Sequence, residues 1–132
     1  HADFNEELSC SGFPFTILER DARVQGEGSA IDLAEALHMV ATHRPDVIAL
    51  VRGGGSATDL AAFDAEVLAR TIATLDVAVV TGIGHEVDRA VADEVAHSAF
   101  KTPTACAAAI VGQVTAFADA FADLQESIAQ RA

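Results

Sequence analysis

A chain of 132 residues, 51% hydrophobic with seven Phe but neither Trp nor Tyr, has the size of one domain with a full core. Its formal net charge of −12 excludes a broad basic surface of the kind that nucleic-acid affinity rests on, since only eight residues are Lys or Arg. No signal peptide and no run of membrane-span length is read from it, and Cys10 and Cys106 lack metal-ligand spacing, so both are expected reduced in a core, in the cytoplasm.

The chain opens on His1 rather than Met, as a piece of a longer polypeptide would. Ala2–Leu8 closes a short helix, and Phe13–Leu18 predicts a strand with Phe13, Phe15 and Ile17 on one face. Val24-Gln25-Gly26-Glu27-Gly28 is a turn, with Ser29 as N-cap of a helix over Ile31–Thr42. Pro45 stops that helix, and Asp46–Val51 reads as a buried strand of the parallel type. Helix follows over Asp59–Phe63 and Ala65–Ala73, with a break near Asp64. Val77–Val80 is the next buried strand, Val87–Ala96 a helix, and Thr102-Pro103-Thr104 starts a last helix running to the end of the chain. The alternation predicts an α/β fold: a single three-layer domain over 1–132 with a mostly parallel sheet, right-handed crossovers and a long C-terminal helix. On that last helix Val111, Val114, Phe117, Phe121, Leu124 and Ile128 repeat at three- and four-residue steps, the seam of a helix that packs on another helix. Packing back onto the sheet and reaching beyond the domain to pair in a homo-oligomer are both compatible with that seam.

Two Gly-rich turns carry the chemistry. Arg52-Gly53-Gly54-Gly55-Ser56 and Gly82-Ile83-Gly84-His85-Glu86-Val87-Asp88 each follow an apolar run, which places them at the carboxyl edge of a parallel sheet, where open α/β folds bind ligands. Successive N–H groups of Gly53, Gly54 and Gly55 at a helix start form an anion-binding concavity, to which the Ser56 hydroxyl adds a donor. Three glycines are by themselves more often structural, and the Lys-Ser/Thr ending of a nucleotide-binding P-loop is missing. Arg52 strengthens the phosphate reading through its bidentate fork, against the alternative of a salt bridge to Asp59 or Asp88. His85 and Asp88 stand three apart, where a carboxylate fixes an imidazole tautomer and raises its basicity. Arg52 and His85 both read as loop residues outside the core. Asp93 reads as a cap or salt-bridge partner, Glu86 as solvated, and Lys101 as a positive charge brought to the same edge. His85 and Glu86 lack the second histidine of a zincin helix; no metal is expected, although neighbouring carboxylates suit a divalent ion such as Mg.

These loops together resemble the catalytic domain of the large subunit of bacterial exodeoxyribonuclease VII. The matching residues are Val24-Gln25-Gly26, Arg52-Gly53-Gly54-Gly55-Ser56, Asp59-Leu60, Phe63, Gly84-His85-Glu86, Asp88, Ala92-Asp93 and Thr102-Pro103, in the family's order over most of the stretch from Val24 to Ala109. The chain departs from the family at Ala57 and Thr58, which stand before Asp59 in place of a Leu-Glu pair. It departs again at His97-Ser98-Ala99-Phe100-Lys101, in place of an Asp-Leu-Arg-Ala-Pro stretch. The resemblance implies an enzyme cutting single-stranded DNA into oligonucleotides, with Arg52, His85 and Asp88 as essential residues and Asp3 as the nearest candidate for a further essential aspartate. It also implies an OB-fold that binds the strand and a helical extension that carries a small subunit. No cofactor and no membrane association are expected. A non-catalytic anion- or nucleotide-binding module and an assembly scaffold are the alternatives, and the joint presence of His85 and Asp88 favours the enzyme, because phosphate binding alone needs neither.

Overall fold

In the structure, a computed structural model describing residues 2–53, 60–84 and 89–131, the α/β expectation holds. In chain order the elements are α1 (Ala2–Cys10), α2 (Ser29–Ala41), β1 (Ile48–Val51), α3 (Ala61–Asp64), α4 (Glu66–Thr74), β2 (Val79–Gly82), α5 (Val91–Val95), β3 (Ser98–Phe100) and α6 (Pro103–Arg131). The strands form one parallel sheet in the order β1-β2-β3, with Val51 opposite Gly82 and Gly82 opposite Phe100.

Alternation along the strands divides the core in two. Ile48, Leu50 and Val79 face a cluster filled by Leu33 and Leu37 of α2, Phe63 of α3, Leu68 and Ile72 of α4, and Ala92 of α5. Ala49, Val51, Val80 and Phe100 face the other side, where Phe4 and Leu8 of α1 meet Cys106 and Ala107 of α6. Phe63, Leu68 and Ile83 are fully buried, each contributing roughly 1.5–3 kcal/mol of apolar burial. The layers are thus α2–α5 on one face of the sheet and α1 with α6 on the other.

Several local expectations are corrected. Residues 13–18 form no strand: Pro14 has no N–H for a ladder, and the Phe15 N–H turns back to the Phe13 carbonyl at 2.9 Å. Phe13 and Phe15 pack edge to face at 6.3 Å instead. Ser29 does not cap α2; Gly28, at φ 82°, precedes the helix, while the Ser29 hydroxyl donates to the Gly26 carbonyl at 2.8 Å. β1 starts two residues after Asp46, and β2 two residues after Val77. The break near Asp64 holds: Ala65, with extended backbone (φ −70°, ψ 138°), separates α3 from α4. α5 begins only at Val91, and β3 was not foreseen. Cys106 is buried but Cys10 is exposed.

The start of α6 packs back onto the sheet, and its later turns extend free of it. Its first turns bury Cys106, Ala107, Ile110 and Val111 against the sheet, whereas from Thr115 onward every described residue except Ala118 is exposed. Phe117 and Phe121 stack on each other at 6.4 Å along that free stretch. The 29-residue helix is long and apolar enough, by length and composition alone, to cross a membrane, which corrects the reading that no run approaches that length.

Candidate functional site

Because all three strands run parallel, their carboxyl ends lie on one edge, and the chain leaves that edge three times. After β1 comes Arg52, whose N–H extends the ladder by donating to the Gly82 carbonyl at 3.1 Å. It is no surface loop residue: at 9% exposure the side chain is buried, which corrects the expectation that it lies outside the core. Gly53 follows directly. After β2, Ile83 drops into the core and Gly84 turns the chain at φ +77°, a conformation that a side chain would strain. After β3 come Lys101, exposed, and Thr102.

Thr102 is the N-cap of α6: its hydroxyl accepts the Ala105 N–H at 3.0 Å, with Pro103 at the first helical position. The positive end of the longest helix therefore opens beside Lys101 at this edge. A β-carbon built on Gly84 would lie 3.4 Å from the Lys101 carbonyl, so the second and third exits are in contact. An open depression of about 260 Å³ lies between Gly26, Gly28 and Ser29 on one side and Ala61, Ala62 and Ala65 on the other, next to the element that follows the first Gly-rich turn.

Of the residues singled out in the sequence, Arg52, Gly53 and Lys101 come together at this edge. Gly54, Gly55, Ser56, His85 and Asp88 lie outside the described residues, as do Asp59 and Glu86. Asp3 sits exposed in the first turn of α1. Asp93 is indeed a cap: one carboxylate oxygen accepts the Ala90 N–H at the start of α5, 3.0 Å away. Its other oxygen accepts the Thr81 hydroxyl at 2.6 Å, a bond that the sequence reading missed. The signal was a lone polar residue in an otherwise apolar strand. Asp64, at the end of α3, accepts the Val91 N–H at 3.0 Å and so ties the element after the first turn to the element after the second.

The family model described as exonuclease VII, large subunit, matches residues 1–132. An exodeoxyribonuclease 7 large subunit of Nitrosomonas europaea is 52% identical over 87 residues, which is 65% of this chain and 19% of that protein. That of Legionella pneumophila (strain Lens) is 47% identical over 100 residues, 74% of this chain and 23% of the relative. That of Moorella thermoacetica is 48% identical over 87 residues, 65% of this chain and 22% of the relative. The matched part is about a fifth of the length of these curated relatives.

Proposed function

The chain belongs to the exonuclease VII large-subunit family, and we propose that it forms the catalytic domain, hydrolysing phosphodiester bonds of single-stranded DNA. The observation that carries the reading is the single edge at which Arg52, Gly53, Lys101 and the N-terminus of α6 meet. A buried guanidinium at the edge where a helix N-terminus opens is an environment that favours a phosphate diester. Arg52 and the amides of Gly53, Gly54 and Gly55 hold the scissile phosphate and stabilise the charge that grows on its oxygens, with Ser56 and Lys101 as further donors. His85 moves the proton as general acid or base, oriented by Asp88, and Asp3 is a candidate for a further carboxylate role. A divalent ion such as Mg would need Glu86 and Asp88 as ligands.

The rest of the assembly belongs to the same proposal. The acidic chain leaves strand binding to a basic surface elsewhere in the polypeptide. A small subunit and a second copy of the chain are the partners proposed for the free stretch of α6.

The test is a pair of substitutions in a polypeptide carrying this chain at the length of its relatives. His85→Ala and Arg52→Lys are each expected to lower kcat on a single-stranded oligonucleotide by about a hundredfold or more, as loss of a transition-state contact does. Lys keeps the charge of Arg52 but not its fork, and avoids emptying a buried position. Full activity in both variants overturns the assignment.

A further inference from the structure

His85 and Asp88 hang on a stretch of chain whose two ends are held by one buried carboxylate. Thr81, fully buried on the central strand, precedes that stretch, and Ala90, the N-cap of α5, follows it. Asp93 is 2% exposed. Its Oδ1 accepts the Thr81 hydroxyl at 2.6 Å and its Oδ2 the Ala90 N–H at 3.0 Å, while its own N–H returns to the Ala90 carbonyl at 3.0 Å. Capping α5 requires only the bond to Ala90. The second bond reaches back across the whole stretch to the strand it leaves, and the Thr81–Asp93 pair places polar groups in a core that an apolar pair would fill at lower cost.

We propose that Asp93 is a positioning residue for the reaction, setting the span between Gly84 and Arg89 and with it the delivery of His85 and Asp88 to the phosphate held at Arg52. The proposal rests on the catalytic reading above. The Asp64–Val91 bond fastens the same end of the stretch to α3, the element into which the Arg52 turn leads, so the two turns are indexed to each other through Val91 and Ala90.

Thr81→Val isolates the effect, because it keeps the volume of Thr81 and leaves the Ala90 cap in place while removing the bond across the stretch. In a polypeptide at the length of the relatives, assayed well below its melting temperature, the variant is expected to lose about tenfold to a hundredfold in kcat, as small displacements of reacting groups do. KM for a single-stranded oligonucleotide should change less than about twofold, since phosphate binding through Arg52 is untouched. The pH profile of kcat should move, and Thr81→Ser should restore both. Asp93→Asn is the second variant: its amide still accepts from Ala90 but offers a donor to Thr81, and an intermediate loss is expected. A lowered melting temperature with kcat and pH profile unchanged in both variants, while His85→Ala is inactive, overturns the positioning role alone. Full activity of His85→Ala overturns the catalytic reading and this inference with it.

Discussion

Gly82 lies so close beneath Thr102 that a β-carbon on it would stand 2.9 Å from the Thr102 carbonyl oxygen, 3.0 Å from the Cys106 β-carbon and 3.3 Å from the Pro103 α-carbon. Two of these neighbours are backbone and cannot turn aside. The missing side chain lets α6 start directly over the end of the central strand, which sets Lys101 and the helix N-terminus at the edge next to Arg52.

Gly82→Ala should therefore cost on the order of 1–3 kcal/mol of stability through overpacking. Urea unfolding followed by circular dichroism measures it; a midpoint equal to that of the original chain would mean that the helix start yields freely.

The thiol of Cys106 reports on the same contact. Burial raises its pKa from 9.0 to about 11, because the thiolate loses its hydration. The unfolded chain ionises this group near 9.0, so its contribution to stability is whole below that pH and is lost as pH climbs toward about 11. Alkylation at about pH 8 should label the exposed Cys10 and spare Cys106 until the chain unfolds. Mass spectrometry distinguishes the two sites, and equal labelling in the folded protein would contradict the packing of α6.

Along the free stretch of α6, Phe117 is 73%, Phe121 52%, Leu124 57% and Ile128 60% exposed. Phe121→Asp with Leu124→Asp should change the unfolding free energy by no more than about 0.5 kcal/mol per site, as exposed positions do. The same pair should abolish the association proposed for this stretch, whether with a second copy or with a small subunit. Sedimentation velocity at several concentrations reads the outcome; association that survives both substitutions rules the seam out as the contact.

Alone, the chain should bind single-stranded DNA weakly. A net charge of −12 repels a polyanion, against which Arg52 and Lys101 stand at the edge. Contact with a single phosphate gives a slope of about −1 or shallower for log affinity against log salt. Without Trp or Tyr, base stacking adds little. Fluorescence anisotropy at two salt concentrations suffices, and tight binding with a steep slope would contradict the reading.

By itself the sequence determined what local chemistry controls. The buried strands after Pro45 and before Gly82 were legible because residues covered on both faces must be apolar in a row. The helical stretches, the break near Asp64 and the Thr102-Pro103 start of α6 were legible because caps and prolines act within one turn. The resemblance in the two Gly-rich turns named the family that the whole-chain match bears out. Tertiary structure decided what depends on partners distant in the chain. Phe13–Leu18 alternates like a strand but has no ladder to join, whereas Ser98–Phe100, three residues without a strand pattern, becomes one because β2 offers its free edge. Arg52, just past the end of β1, is buried by what the rest of the chain brings to that edge, and Asp93 reaches Thr81 because α5 folds back over β2. Pattern speaks for a residue's own backbone, while burial and long-range hydrogen bonds are properties of the surface that the rest of the chain brings against it.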